Sequence, residues 1–123
     1  MTDYPPHLLG EQAEQLAQKV LASHGLKLIE KNFRCKVGEI DLILLDQDCI
    51  VFTEVRARTS KQVMHPFESI DVYKQQKIVC AAEFFLLKNP RYADYLCRFD
   101  AIAIDFSQAK PSLSWIKDAF RPD

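Results

Sequence analysis

Two carboxylates stand at matching positions of two apolar segments. Asp41 lies in the segment 38–45 and Glu54 in the segment 50–56, and a polar stretch of four residues, 46–49, separates them. An antiparallel hairpin with this stretch as its loop places Asp41 directly opposite Glu54, on one face of the sheet. Facing carboxylates destabilise such a pair unless a cation separates them. The spacing therefore predicts that Asp41 and Glu54 bind a hard divalent cation, Mg²⁺ or Mn²⁺.

The alternative is a pair of surface carboxylates on a solvated face of the hairpin. In the same register Ile43 and Phe52 share the face of the two acids, and Leu45 faces Ile50. A purely solvated face would not usually carry such large apolar neighbours. A cation held there could polarise a phosphoryl oxygen and lower the pKa of a bound water, which is the chemistry of phosphodiester hydrolysis.

A second charged pair extends the acidic patch. The hairpin register places Glu39 opposite Arg56, and Arg56 returns to the face of Glu54 two residues further along the strand. Arg56 could neutralise a phosphate group or form a structural salt bridge with Glu39, and both interpretations stay open. Arginine keeps its proton in proteins, so Arg56 cannot act as a general base.

A lysine falls on the apolar stripe of the second predicted helix. Lys74 precedes Ile78 by four residues, Ala81 by seven and Phe85 by eleven, which is the spacing of one helical face. Lysine on a buried stripe is uncommon unless it is paired. We expect Lys74 to direct a cation at the acidic patch; the alternative is a stem that covers apolar surface while the amine reaches solvent.

Two other charged groups have simpler explanations. Glu11 lies in the first turn of the first predicted helix, where a carboxylate favours the helix dipole, and it lies nearly opposite the apolar stripe. Arg98 and Asp100 share one face of a later strand, and a structural ion pair is the favoured interpretation. The three histidines have no partner at ligand spacing and receive no role.

The elements that position these residues follow from periodicity and breakers. Apolar residues at helical spacing predict the first helix, which Gly25 ends. Asp71 is a suitable N-cap for the second helix, which ends before Asn89. The predicted order is helix 8–24, strand 26–34, the acidic hairpin, a loop at 57–68, helix 71–88, strand 97–106 and a short last strand at 113–120. A hairpin followed by a helical crossover predicts an α/β fold with a mixed sheet covered by helices.

Bulk properties exclude several classes of protein. The chain has 123 residues, 48% of them hydrophobic and 27% charged, which predicts one globular domain over residues 1–123. It has no apolar run long enough for a membrane span and no signal-peptide pattern, so we expect a cytoplasmic protein without membrane contact. Its four cysteines form no C-x-x-C pair, which predicts reduced thiols rather than zinc. The net charge of −1 does not indicate a polyanionic partner, although local basic patches are compatible with it.

An ordered set of motifs runs along the chain. The blocks are Gly10-Glu11 with Ala13, Gly38-Glu39-Ile40-Asp41-Leu42-Ile43, Phe52-Thr53-Glu54-Val55-Arg56-Ala57-Arg58, Lys74 and Arg98-Phe99-Asp100. This set resembles the YraN-like family of small bacterial proteins over roughly residues 10–120. That family is similar to the PD-(D/E)xK nuclease superfamily, and in particular to archaeal Holliday-junction resolvases. The resemblance implies a restriction-endonuclease-like mixed sheet in the order α-β-β-β-α-β(-β).

The resemblance also implies a set of site residues. In those nucleases a first-helix glutamate, an aspartate and a Glu-x-Lys pair form the metal site, which map onto Glu11, Asp41, Glu54 and position 56. This chain has Arg56 where the pattern usually has lysine. Lysine can orient or deprotonate the attacking water, whereas arginine supplies only charge. The resemblance therefore suggests Lys74 as the replacement amine, with Glu39 and Glu11 assisting.

Three hypotheses follow from these residues. The first is an Mg²⁺- or Mn²⁺-dependent endonuclease acting on DNA, including branched structures. The second is a nucleic-acid-binding module that has kept the fold and lost the chemistry, which Arg56 and the neutral net charge favour. The third is a protein-interaction domain with the acidic patch as its docking surface. A resolvase activity on a symmetric junction would require a homodimer with two active sites.

Overall fold

The computed structural model describes residues 6–59 and 70–122. Within these residues the chain forms helices and strands in the predicted order, so the mixed α/β prediction is confirmed. A 3₁₀ turn, Pro90–Tyr92, follows the second helix. The helices are α1 (Pro6–Ser23) and α2 (Val72–Lys88), and the strands are β1 (Lys27–Cys35), β2 (Gly38–Asp46), β3 (Cys49–Arg58), β4 (Leu96–Asp105) and β5 (Ser112–Phe120).

All five strands belong to one sheet in the order β1-β2-β3-β4-β5. Neighbouring strands are antiparallel except β3 and β4, which are parallel. A parallel pair requires a crossover connection, and α2 lies in the one between β3 and β4. The carboxyl ends of β1 and β3 and the amino end of β2 therefore meet at one end of the sheet.

Helix α1 covers one face of the sheet. Its stripe of Ala13, Ala17 and Leu21 is buried, and small residues in this stripe allow close packing on the strands. The helix ends at Ser23, and Gly25 adopts a φ of 90°, a conformation that glycine tolerates at a helix C-terminus. These α1 residues form a buried hydrophobic cluster with residues of the strands, which are Leu42, Leu44, Val51, Ile102 and Ile104.

Helix α2 covers the opposite face. The carboxylate of Asp71 accepts a hydrogen bond of 2.8 Å from the backbone N–H of Lys74, so the predicted N-cap is confirmed. Phe85 packs edge-on against Phe33 and Phe52 beneath the helix. The predicted apolar face is buried at Ile78, Ala81, Ala82 and Phe85, and Leu86 is half-buried.

The acidic hairpin is tighter than predicted. Asp46 and Cys49 pair with each other, so the turn between β2 and β3 contains two residues rather than four. Leu45 still faces Ile50, because removing one residue from each side of a loop keeps the register. Gln47 in this turn has a φ of 58°, which tight hairpin turns require.

Strand β3 also runs further than expected. The predicted loop at 57–68 is wrong at Ala57 and Arg58, which pair with Ile104 and Asp105 of β4. Polar composition does not prevent a strand when the neighbouring strand supplies the hydrogen bonds. The part of this predicted loop from 60 to 68 lies outside the described residues.

Two further sequence-based expectations can be compared with the structure. Among the residues described, no helix has the length and apolar character needed to cross a membrane. All four cysteines are free, as expected for reduced thiols.

Candidate active site

Asp41 and Glu54 lie where β2 and β3 separate. The backbone ladder between the two strands ends at the pair Leu42 and Thr53, one position before the two acids would face each other. There the backbone N–H of Val55 donates a hydrogen bond of 2.8 Å to Oδ2 of Asp41. A side-chain carboxylate thus replaces the main-chain acceptor that a continued ladder would supply. Both acids lie on adjacent antiparallel strands, as predicted, but the ladder does not contain the direct pairing of Asp41 with Glu54 that the hairpin register predicted.

The surroundings of Asp41 disfavour its charged form. Burial raises the pKa of Asp41 to about 9, and the hydrogen bond and charge of Glu54 add to this increase. The hydrogen bond from Val55 acts in the opposite direction but does not cancel it. Two carboxyl groups that share one site cannot both ionise cheaply, so a proton or another cation must lie between them.

Lys74 supplies a cation to the same pair. Its Nζ lies 3.2 Å from Oε2 of Glu54, whose side chain is only 9% exposed. The lysine side chain itself is 40% exposed, so its stem crosses the rim of the site and its amine points inward. The structure therefore agrees with the expectation that Lys74 faces the acidic patch. It is the first helical turn of α2 that brings this amine to the strands.

Glu14 is a third carboxylate near the pair, and the sequence analysis missed it. Burial raises the pKa of Glu14, and charge repulsion contributes to that increase. The repelling charges include Glu54 and Glu39, and the charge of Glu14 in turn raises the pKa of Asp41. Helical geometry gave a signal: Glu14 is next to Ala13 and three residues before Ala17, so it borders the buried stripe of α1.

Glu11 occupies an exposed position one turn before Glu14. Burial is the main cause of the raised pKa of Glu14, and the negative charge of Glu11 raises it further. Glu11 is not among the groups that shift the pKa of Asp41, and it takes no part in the ion pair between Glu54 and Lys74. The first-helix glutamate that acts on the acidic pair is therefore Glu14. It lies one turn after Glu11, the residue that the family resemblance implied.

Glu39 and Arg56 do not face each other, contrary to the hairpin register. The strands have already separated at this point, and Glu39 pairs instead with Arg34 of β1 at 3.4 Å. Arg56 is half-buried on β3, beside Ala103 of β4 and two residues after Glu54. Position 56 thus stays at the site end of β3, as predicted, while Glu39 lies on the exposed rim.

The oxygen donors suit magnesium or manganese. Within residues 6–59 and 70–122, no group of three or more His, Cys, Asp or Glu side chains is arranged to hold an ion by itself. Mg²⁺ is commonly bound by one or two carboxylates, with water and phosphate oxygens completing its coordination. Asp41 and Glu54 fit that arrangement, because replacing their shared proton by a cation removes the repulsion between them.

Arg98 and Asp100 form a structural network on β4. Asp100 is completely buried and accepts hydrogen bonds from Arg98 at 3.0 and 3.3 Å, from the indole of Trp115 at 2.9 Å and from the backbone N–H of Asp118 at 3.0 Å. Arg98 also donates to Asp46 at 3.0 Å. Each buried charge is therefore paired, and the network fixes β5 against β4 at the bulge that follows Phe99.

Comparison with known proteins gives one family. The model of the family described as "Uncharacterised protein family UPF0102" matches residues 13–104. The UPF0102 protein of Stutzerimonas stutzeri (strain A1501) is 45% identical, over 90% of this chain and 92% of the relative. That of Ectopseudomonas mendocina (strain ymp) is 46% identical over 91% and 93%. A third, from Pseudomonas entomophila (strain L48), is 43% identical over 98% of each chain.

Proposed function

The chain belongs to the family described as uncharacterised protein family UPF0102, and for this member we propose a metal-dependent endonuclease activity on DNA, branched DNA included. The observation that carries the proposal is the pair of half-buried Asp41 and buried Glu54 where two strands separate, with the amine of Lys74 3.2 Å from Glu54. A stable fold has no need of two repelling carboxyl groups at that point. A cation site explains why they are there.

Each residue has a distinct role in the proposed reaction. Asp41 and Glu54 bind the ion, and the hydrogen bond from Val55 fixes the orientation of the Asp41 carboxylate. When bound, Mg²⁺ or Mn²⁺ supplies Lewis-acid polarisation of a phosphoryl oxygen and lowers the pKa of an attacking water. Lys74 offsets the negative charge that develops on the phosphoryl group. Its amine is held close to that position by Glu54.

The cations around the site support a polyanionic substrate. Arg34 lies near the end of β1, Lys36 lies in the turn between β1 and β2, Arg56 lies on β3, and Lys74 lies in the first turn of α2. All belong to the end of the sheet where the acidic pair lies. The Arg34–Glu39 ion pair is largely exposed, so exchanging its carboxylate for a phosphate would cost little. A net charge of −1 is therefore compatible with a local binding surface.

The second candidate function is nucleic-acid binding without catalysis. Arg56 stands where the resembled nucleases have lysine, and arginine cannot deprotonate water. If Lys74 does not replace that function, the protein binds nucleic acid without cutting it. A protein-interaction domain, in which the acidic patch docks a basic partner, would neither bind Mn²⁺ at Asp41 nor cleave DNA.

The proposal extends to the assembly and the compartment. Cleavage of a symmetric four-way junction requires two active sites, so we propose a homodimer on that substrate. The free cysteines suit a reducing compartment, and we propose that the protein acts in the cytoplasm.

Cleavage of a panel of linear, nicked, flap and four-way DNA with Mg²⁺ or Mn²⁺ tests the activity. We expect the wild-type protein to cut, and Glu54→Gln to be inactive because the amide cannot replace a charged ligand. Lys74→Ala should also be inactive, whereas Lys77→Ala should cut normally. Lys77 is the matched control, because its ammonium lies over the ring of Tyr73 rather than at Glu54.

The outcomes separate the candidates. If Lys74 is the working amine, Arg56→Lys changes the rate little; a large gain would show that the arginine had cost the activity. Calorimetry with Mn²⁺ completes the test, because Asp41→Asn should abolish binding. Mn²⁺ and DNA binding without cleavage in any variant would leave the non-catalytic module. Unchanged Mn²⁺ affinity in Asp41→Asn would refute the metal site itself.

A further inference from the structure

Exposed apolar side chains gather where α2 begins. Tyr73, in the first turn of this helix, is 66% exposed, and the preceding residue, Val72, is exposed to the same extent. Val37, in the turn between β1 and β2, is exposed as well. This turn meets the helix, because a Cβ atom on Gly38 would lie 2.9 Å from the backbone carbonyl oxygen of Lys77. Exposed apolar residues that gather in one place, rather than scatter, are typical of a binding surface.

Tyr73 lies directly beside the acidic pair along the chain. The next residue is Lys74, whose Nζ lies 3.2 Å from Oε2 of Glu54. Consecutive Cα atoms are about 3.8 Å apart, and consecutive helical side chains point about 100° apart. Lys74 therefore directs its amine at Glu54, while Tyr73 presents its ring to solvent at the rim of the same site. A nucleotide next to a phosphate bound at the acidic pair would come within reach of this ring.

One face of the Tyr73 ring is open. The ammonium of Lys77 covers the other face, at 4.7 Å from the ring centroid. A ring covered on both faces could not leave the residue 66% exposed. An open aromatic face beside cationic side chains is how many proteins bind single-stranded nucleic acid, because every base has a face that can stack on it.

We propose that Tyr73 is a specificity-determining residue whose open face stacks on an unpaired base of branched DNA, next to the phosphate bound at Asp41 and Glu54. The inference rests on the proposed function and names the feature of branched DNA that the protein recognises. In a continuous duplex the neighbouring base pairs cover both faces of each base, so the ring finds no partner there. A base that is already unpaired, as in a flap, leaves the stack at the lowest cost. Tyr73 therefore favours branched DNA over linear duplex.

A purely structural explanation is available for comparison. Tyr73 could serve only Lys77, by providing the ring over which the ammonium lies. In that case Tyr73→Ala and Lys77→Ala should have equal effects, because each removes the same contact. Stacking predicts a loss of DNA affinity in Tyr73→Ala alone, since Lys77→Ala leaves the open face of the ring in place.

Two further substitutions isolate the ring itself. Tyr73→Phe keeps both ring faces and removes the hydroxyl group, whereas Tyr73→Leu keeps an apolar side chain and removes the ring. Leu87→Ala controls for a general apolar contact, because Leu87 is also strongly exposed but lies in the last turn of α2. The 14 residues from Tyr73 to Leu87 span about 21 Å of helix.

The experiment measures fluorescence anisotropy of a labelled flap and of a linear duplex of the same sequence, with a chelator present so that no cleavage occurs. We expect Tyr73→Ala and Tyr73→Leu to bind the flap about 5–150-fold more weakly, which is the effect of losing one stacked base, and to bind the duplex like wild type. Tyr73→Phe, Lys77→Ala and Leu87→Ala should bind both DNAs like wild type. Thermal unfolding checks that each variant is folded.

A fluorescent base gives a second measurement. With 2-aminopurine at the unpaired position next to the branch, stacking on an aromatic ring lowers the fluorescence. Wild type and Tyr73→Phe should therefore quench the signal, and Tyr73→Leu should not.

Three results would overturn the inference, and a fourth would remove its premise. Wild-type affinity of Tyr73→Leu for the flap would show that the ring does not stack. Equal losses on flap and duplex in Tyr73→Ala would show a contact that does not distinguish branched DNA. Equal losses in Tyr73→Ala and Lys77→Ala would leave the structural explanation. A wild-type protein that binds neither DNA would refute the proposed function itself, whereas the first three results leave that function intact.

Discussion

At the scale of single residues, Asp41 combines two opposing influences. Its carboxylate accepts a hydrogen bond from the backbone of Val55, which favours the charged form. Burial and the neighbouring Glu54 favour the neutral form more strongly and raise its pKa to about 9. The metal-free protein therefore holds a proton where the proposed function requires an ion.

This balance predicts how stability depends on pH without metal. The pKa of Asp41 lies above its usual 3.8 in the folded protein, so the folded state binds a proton that the unfolded state releases. The resulting stabilisation is complete below about pH 4 and is lost as the pH rises towards about 9. Relative to Asp41→Asn, the wild-type protein should therefore lose unfolding free energy progressively as the pH rises across this window.

Urea unfolding in the presence of a chelator measures this difference. Asp41→Asn should be at least as stable as wild type at neutral pH, because the neutral amide needs no proton uptake on folding to lie beside Glu54. Saturating Mn²⁺ should restore the unfolding free energy that the wild-type protein loses at high pH. It should leave the unfolding free energy of Asp41→Asn unchanged. Parallel pH profiles for the two metal-free proteins would show that Asp41 does not hold the proton.

At the scale of elements, a glycine sets the distance between α2 and the acidic hairpin. A Cβ atom on Gly38 would lie 2.9 Å from the backbone carbonyl oxygen of Lys77. The beginning of β2 and the first turns of α2 are therefore in close backbone contact. Lys74 lies one turn before Lys77, so this contact also determines how near its amine comes to Glu54.

Gly38→Ala should consequently push α2 away from the sheet. Because the nearest atom belongs to the backbone, relief requires movement of the helix, and we expect a loss of about 1–3 kcal/mol in unfolding free energy. Gly10→Ala is the matched control: nothing lies within 4 Å of its added methyl group. Alanine is also the better helix former, so that variant should gain about 0.5–1 kcal/mol.

Chemical denaturation of both variants tests the contact. DNA cleavage by Gly38→Ala should fall together with stability if the helix carries Lys74 away from Glu54. Equal stability of Gly38→Ala and wild type would mean that α2 does not need this close approach.

Particular elements show which parts of the fold and site the sequence could predict. The register of the acidic hairpin was predictable, because alternating apolar residues fix which side chains face each other. Lys74 was predictable because helical spacing placed it on the buried stripe. Glu14 was only partly predictable: helical spacing places it at the border of the buried stripe of α1, but the spacing does not show that this border faces the acidic pair. The separation of β2 and β3 beyond Leu42 has no sequence signal of its own.

At the scale of the whole molecule, the proposed DNA surface lies at one end of the sheet. Lys36 belongs to the turn after β1 at this end, and Lys27 begins β1 at the other. A strand of this length spans about 26 Å, more than two Debye lengths at physiological salt. The two lysines therefore test the position of the surface independently of net charge. Lysines also protect edge strands such as β1 from aggregation, which is the alternative role of both.

The salt dependence of DNA binding should distinguish these roles. If Lys36 contacts a phosphate, Lys36→Gln should reduce the slope of the logarithm of the binding constant against the logarithm of salt concentration by about 0.9. Lys27→Gln should leave the slope unchanged. Fluorescence anisotropy over a range of salt concentrations provides the measurement. Equal effects of both variants would indicate diffuse attraction rather than a surface at the site end.

The end of the ladder between β2 and β3 also provides a reporter. The amide proton of Val55 is bound to a side-chain carboxylate whose charge changes when a proton or an ion arrives. Its nuclear magnetic resonance signal should shift, and its exchange with solvent deuterium should change, each time the state of Asp41 changes. One backbone resonance would then count occupied sites in a metal titration, with no DNA present and no reaction taking place.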